Sequence, residues 1–304
     1  MSLLVIGTLA YDTIETVHER RENVLGGSAT HFAVAASHFT AGGRAGPRLV
    51  AVVGRDFDDE HVAALRARGV DTEGLEVADG RTFRWSGRYE ADWNTRHTLH
   101  TELNVFEHFD PKLPESYRDS DYVFLANAAP QVQLRALEQV DGPAFSVADT
   151  MNLWIEIARE PLEELLRRVD AIVLNDEEAR MLTGERNLIR AAAGVLGMGP
   201  RYVILKKGEH GAFLMGSDVH FALPAYPVEE VVDPTGAGDS FAGGFMGYLA
   251  QAGGHGPASL RKAMVYGTVT ASFCVQGFGI EPLCRPDRGA LDGRYDELLA
   301  IVTV

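Results

Sequence analysis

The stretch Val231-Val232-Asp233-Pro234-Thr235-Gly236-Ala237-Gly238-Asp239-Ser240-Phe241-Ala242-Gly243-Gly244-Phe245 carries more chemistry than any other in the chain. Pro234 stiffens the approach and biases Asp233 towards extended backbone, and Gly236 and Gly238 then allow a tight turn whose amides no side chain obstructs. Phe241, Phe245, Tyr248 and Leu249 follow at helical spacing, so a helix starts here. Free amides at a helix N-terminus, with the positive end of its dipole, make an anion site suited to phosphate. Gly243, Gly244 and Gly247 would weaken an isolated helix and therefore imply close packing against a neighbour. Asp239 has two readings: an N-cap, for which Asp is favoured, or a general base beside a phosphate cradle.

Upstream, residues 3–6, 49–53, 122–125, 145–147, 171–174 and 202–205 are short apolar runs that end near Gly, Asn or Asp and read as buried strands. Helical patterns such as Ala29, Phe32, Ala33, Ala36 and Phe39 lie between them. The alternation predicts an α/β fold: a doubly wound, mainly parallel sheet flanked by helices, as one domain over residues 1–304. Two segments break the pattern. Residues 82–89 and 99–105 place Phe83, Trp85 and Tyr89, then Leu99, Leu103 and Val105, on alternate positions around the polar stretch 91–95, which predicts a β-hairpin with one apolar face. The polar run 13–23 supplies a further strand, so segments near 12–25 and 80–107 together form a small β-sheet lid. Its apolar face either packs on its own domain or is an exposed patch, and the second alternative predicts a homodimer joined through the lids.

The chain has 304 residues and a formal charge of −15, from 28 Lys+Arg against 43 Asp+Glu, with 46% hydrophobic residues. That balance is globular and excludes a disordered chain. Basic doublets such as Arg20-Arg21 and Lys206-Lys207 are too short for a nucleic-acid or anionic-membrane footprint, so a small-molecule substrate is expected. No apolar run approaches the length of a membrane span, and Cys274 and Cys284 are too few for a metal framework and suit a reducing cytosol. Both cysteines read as structural and the protein as cytoplasmic. A P-loop is absent, and Ile6-Gly7-Thr8-Leu9-Ala10-Tyr11 offers one glycine where a dinucleotide fold needs three.

The 233–239 segment resembles the carboxy-terminal signature of the PfkB, or ribokinase-like, family of small-molecule kinases, an Asp-Thr-x-Gly-Ala-Gly-Asp pattern. Asp233, Gly236, Ala237, Gly238 and Asp239 match, and Pro234-Thr235 is a common variation. The resemblance implies a ribokinase-like fold and an ATP-dependent phosphotransferase that uses Mg2+. In it the amides of Gly236, Ala237 and Gly238 form an anion hole for the moving phosphoryl group, and Asp239 is the catalytic base. The resemblance covers nearly the whole chain. Asp12 matches a carboxylate that binds acceptor hydroxyls, and Gly26-Gly27 resembles the family's amino-terminal glycine pair, although by themselves these glycines read equally as a turn. Asn175-Asp176-Glu177-Glu178 is similar to the Asn-x-x-Glu motif, which implies nucleotide binding at Asn175 and a water-mediated contact of Glu178 with magnesium; alone it is also a common helix start. Gly208-Glu209-His210-Gly211 looks like the nucleotide-binding Gly-x-x-Gly turn, or else a simple hairpin turn. The resemblance further implies a monovalent cation, K+, in the vicinity of Asp233, as in some members of the family.

Departures from the family pattern bear on the acceptor. His31 stands where Asn is frequent, so as a candidate acceptor contact it hydrogen-bonds differently. Lys206 stands where Thr is frequent and is either a phosphate contact or a solvated surface lysine. Asn152 follows a strand end, where ligands of open α/β sheets sit, and is a further candidate acceptor contact. Phe32, Phe83, Trp85 and Trp93 lie in segments that border the expected pocket and suit stacking on a planar base, or else they are core. The expected activity is transfer of the γ-phosphoryl group of ATP to a ribonucleoside at its 5′-hydroxyl. A kinase strictly for free sugars such as ribose, fructose or a keto-sugar acid is the alternative. A non-catalytic ligand-binding regulator on the same scaffold is the alternative of another class. Asp239 together with the glycines favours the enzyme, since a binder has no use for a base.

Overall fold

The computed structural model describes residues 1–40 and 46–303. The strands are β1 Leu3–Ile6, β2 Ala10–Glu15, β3 Arg20–Gly26, β4 Arg48–Gly54, β5 Asp71–Ala78, β6 Phe83–Tyr89, β7 Arg96–Glu102, β8 Tyr122–Leu125, β9 Phe145–Asp149, β10 Ala171–Asn175, β11 Tyr202–Lys206, β12 Ala212–Gly216 and β13 His220–Leu223. The helices are α1 Ser28–Ser37, α2 Asp59–Ala67, α3 Pro130–Leu137, α4 Asn152–Ile157, α5 Arg159–Leu166, α6 Asp176–Thr183, α7 Leu188–Leu196, α8 Ala237–Ala252, α9 Pro257–Cys274, α10 Glu281–Cys284 and α11 Arg288–Val302.

Nine strands form the main sheet in the order β13-β12-β11-β10-β9-β8-β1-β4-β5, parallel from β11 to β5 with β12 and β13 antiparallel at one edge. The six apolar runs are all strands, and they are buried on both faces because helices cover both sides. Residues of α1, α2, α8 and α9 pack on one face, and those of α3, α5, α6 and α7 on the other. From β1 the chain winds outwards through β4 and β5, then returns to β8 on the opposite side. This reversal creates a crevice at the carboxyl ends of the strands, where open α/β sheets hold ligands.

The glycines of α8 explain themselves by contact. A Cβ on Gly243 would stand 2.4 Å from Phe32 O of α1, and one on Gly244 would stand 2.1 Å from Thr270 Oγ1 of α9. Only hydrogen at these positions lets α8 lie between both neighbours at near-backbone distance. Phe32 stacks on Phe124 at 4.4 Å and is fully buried, so this aromatic belongs to the core rather than to an acceptor pocket.

The second sheet has the order β3-β2-β6-β7. The polar run contributes two strands instead of one, and β2 pairs in parallel with β6, so the hairpin has partners and is not marginal. The second hairpin strand lies at Arg96–Glu102, not 99–105. The β6–β7 ladder changes register between Ser86 and Gly87, which leaves Leu99 as an extra, exposed residue, and the chain enters a 3-10 turn at Asn104–His108. Leu103 and Val105 therefore leave the sheet, and Phe83 packs on Phe106 at 5.8 Å. The continuous apolar face expected from alternation is thus broken up, and Trp85 and Leu99 are what remains of it near solvent. Among the described residues no helix is long and apolar enough to cross a membrane.

Candidate active site

Asp149, Asn175 and Lys206 are the last residues of β9, β10 and β11, so three neighbouring parallel strands deliver them to one end of the sheet. Asn175 caps α6. Its Oδ1 accepts from the Glu178 amide at 2.7 Å, and the Asn175 amide donates to Glu178 Oε2 at 2.7 Å, a reciprocal capping box. The Asn-x-x-Glu pattern thus has a structural role, and the same cap fixes a buried carboxylate at the sheet end. Asn152 opens α4 at this end, three residues beyond Asp149.

Lys206 is not a solvated surface lysine. Its side chain is 20% exposed, and Nζ lies 3.8 Å from Asp149 Oδ1. Burial disfavours its charge, but Asp149, Glu178 and Asp239 together outweigh that and hold its pKa above the ordinary value. Burial pushes Asp149 up to about 6 and Glu178 up to about 7 in spite of the lysine. Sequence reading missed Asp149 as a site residue; its place as the final residue of an apolar strand was the available signal.

The glycine-rich turn opens α8 as expected, with Gly236 as its N-cap in the left-handed region at φ 76°. Asp239 therefore sits in the first helical turn, and the N-cap reading is corrected, since a capping residue must precede the helical backbone. Burial raises its pKa against the pull of Lys206 and Arg96. The Ala237 amide donates to Pro234 O at 3.2 Å and so is committed to closing the turn instead of facing the anion site. The Gly238 and Asp239 amides are first-turn donors with no acceptor inside the helix. A Cβ on Gly238 would stand 2.7 Å from Lys206 Nζ, which places the lysine beside these amides.

Across the crevice, Asp12 is buried in β2. A Cβ on Gly26 would collide with its carboxylate at 1.9 Å, so the first glycine of the pair makes room for it. Burial, with the charges of Asp233 and Asp239 nearby, pushes Asp12 up to about 8. Gly27, at φ 97°, is the N-cap of α1. His31 is 1% exposed, and its Nδ1 donates to Gly27 O at 3.1 Å. Burial holds its pKa below the usual imidazole value, so the ring is neutral. Asp233 is fully buried; its Oδ1 accepts from the Thr235 amide at 2.9 Å, and Oδ2 has no partner among the described residues. Cys274 is buried, its Sγ donates to Thr235 O at 3.4 Å, and burial pushes the thiol up to about 12, in keeping with a structural role.

The small sheet leans on this end of the molecule. Thr235 Oγ1 donates to Tyr89 Oη at 3.1 Å, and Asn94 Nδ2 at the hairpin tip donates to Glu209 Oε1 at 3.1 Å. Gly208, at φ 54°, leaves room for Asn94, and Gly211, at φ 82°, passes so close to β13 that a Cβ would stand 2.0 Å from Leu223 O. Arg96, the first residue of β7, acts electrostatically on Asp239, Glu178 and Lys206. Neither Tyr89 nor Arg96 was legible as a site residue, because nothing local marks a strand residue that faces a site more than a hundred residues away in sequence.

The model of the pfkB family of carbohydrate kinases matches residues 1–287. A cytidine kinase from Thermococcus kodakarensis is 34% identical over 251 residues, covering 81% of this chain and 87% of that protein. Among solved structures, a nucleoside kinase from Burkholderia thailandensis in complex with inosine is similar with a TM-score of 0.78 at 21% identity, covering 98% of each chain. An E. coli structure described as a ribokinase II, in complex with ATP and Mg2+, is similar with a TM-score of 0.80 at 21% identity, covering 97% of this chain and 99% of that one.

Proposed function

We propose, given that the chain belongs to the pfkB family of carbohydrate kinases and is a phosphotransferase with a hydroxyl acceptor, that it phosphorylates a ribonucleoside at the 5′-hydroxyl from ATP. The observation that carries the reading is the position of Asp239. It stands in the first turn of a helix whose free amides form an anion site, beside a buried lysine and within electrostatic reach of Asp12. An acceptor hydroxyl held between Asp12 and Asp239 gives its proton to Asp239 as its oxygen bonds to the γ-phosphorus of ATP and the bond from that phosphorus to the β,γ-bridging oxygen breaks, ADP being the leaving group. The Gly238 and Asp239 amides and the helix dipole stabilise charge on the moving phosphoryl group, with Lys206 and Arg96 adding positive charge.

Nucleotide binding is assigned to the Gly208–Gly211 turn, Asn175 and Lys206. The donor set fits a magnesium ion carried by the nucleotide: Glu178 and Asp149 are oxygen donors at the sheet end, while no group of three or more candidate ligands among the described residues forms a cage by itself. Magnesium when bound would neutralise phosphate charge. The unpartnered Oδ2 of Asp233 is an acceptor available to a monovalent cation such as K+.

The cytidine kinase and nucleoside kinase likenesses support a nucleoside as acceptor. Stacking on the base falls to the tip of the small sheet, where Trp93 approaches His18 at 6.1 Å, since Phe32 is core and Phe83 packs on Phe106. A homodimer through the lids is retained on the remaining surface of Trp85 and Leu99. ADP release measured with cytidine, adenosine, inosine, guanosine, ribose, fructose and 2-keto-3-deoxygluconate tests the acceptor. Turnover of a nucleoside well above that of any free sugar is expected, and turnover confined to a free sugar contradicts it.

A further inference from the structure

We infer that His31 is a positioning residue whose ring sets the phosphoryl-binding end of α8 against the acceptor-binding glycine turn, an inference that rests on the anion-hole reading above. The ring touches both turns. On one side Nδ1 donates to the carbonyl of Gly27, the N-cap of α1. On the other it lies against Gly236, the N-cap of α8: a Cβ there would stand 2.3 Å from Cδ2 and 2.4 Å from Nε2.

Below this contact α1 and α8 form a continuous seam. A Cβ on Gly243 would meet Phe32 O at 2.4 Å, and one on Gly247 would meet Phe39 at 2.8 Å and Ala36 Cα at 3.0 Å. Backbone meets backbone along this seam, so it has little freedom to adjust, and His31 is its uppermost contact. The thickness of the imidazole therefore fixes how far the first turn of α8 stands from Gly27. A smaller side chain leaves a gap that the left-handed Gly236 turn is free to fill, which shifts the Gly238 and Asp239 amides with it. A displacement of about 1 Å in such a site is enough for a loss near 10²-fold in rate. The ring is buried behind both glycine turns and so acts on the acceptor through them; an acceptor contact, the role expected from its place in the sequence, needs an accessible polar atom.

The test compares His31→Ala, His31→Asn and His31→Phe by kcat, by KM for ATP and for the acceptor, and by melting temperature. Expected is a kcat lowered about 10²-fold in His31→Ala and His31→Asn with both KM values little changed, and substantial recovery in His31→Phe, which restores a ring of similar thickness without the donor. A rise in acceptor KM with kcat unchanged would show direct contact and overturn the inference. So would a kcat loss in His31→Phe as large as in His31→Asn, or losses that follow melting temperature alone across the series. Gly238→Val separates the two levels. Normal turnover in that variant removes the anion-hole reading itself, whereas a damaged Gly238→Val beside normal His31 variants removes only the inference.

Discussion

Replacing Lys206 by Met removes one buried cation from among Asp149, Glu178 and Asp239 while keeping most of the side-chain volume. At 3.8 Å the attraction between Nζ and Asp149 is about 4 kcal/mol with an effective dielectric near 20. Asp149 and Glu178 already sit at about 6 and about 7 with the lysine pulling both down, so in the variant both rise further. A carboxyl whose folded pKa exceeds its unfolded value keeps a proton that the unfolded chain has released. Stability is therefore lost as pH climbs from about 4 through the folded pKa, and a higher folded pKa prolongs the loss. At pH 5 both carboxyls are largely protonated, the lysine has little to pair with, and Met costs little. At pH 8 the wild type holds ionised, paired carboxylates, whereas the variant must keep them neutral or unpaired at a cost of about 2–4 kcal/mol. With about 2–4 °C per kcal/mol for a large domain, the melting temperature of Lys206→Met should match wild type at pH 5 and fall roughly 4–16 °C below it at pH 8. Calorimetry at the two pH values reads this directly. A deficit equal at both, or larger at pH 5, refutes the charge cluster.

Arg96→Gln should lower kcat about tenfold or more. Because Arg96 pulls the Asp239 pKa down, its loss should also move the acid limb of the kcat–pH profile to higher pH, so that the deficit is greater at pH 6 than at pH 8; an unmoved limb counts against Arg96 acting on the base. Light scattering at micromolar concentration should give a dimer for the wild type and a monomer for Trp85→Glu, and a monomeric wild type would remove the lid-to-lid interface.

What the sequence revealed was whatever has a local pattern. Both-faced apolar runs marked six of the seven inner strands of the main sheet, and Gly243, Gly244 and Gly247 announced close packing of their helix against a neighbour. The edge strand β5 went unread because Asp71, Glu73 and Glu76 leave it too polar for that pattern. The β7 boundary slipped because the extra residue at Leu99 reverses the alternation on which the reading depended. The catalytic turn was legible from its glycines, but its charges were not. A buried lysine has the same letter as a solvated one, and Lys206 declares itself only when the end of β9, the head of α6 and the head of α8 bring Asp149, Glu178 and Asp239 around it. Of the two readings of Asp239 the N-cap falls for a geometric reason, since the helix begins three residues earlier than a cap at Asp239 requires.

The most direct measurement is the turnover of Asp239→Asn with ATP and its best acceptor, taken together with ATP affinity. The substitution keeps size and shape and removes the ability to accept the acceptor proton, together with one of the three carboxylates around Lys206. A kcat lowered by about 10²–10⁴-fold, with ATP binding and melting temperature close to wild type, is the expected result. Turnover near wild type would contradict Asp239 as the base and, with it, the placement of phosphoryl transfer at the head of α8.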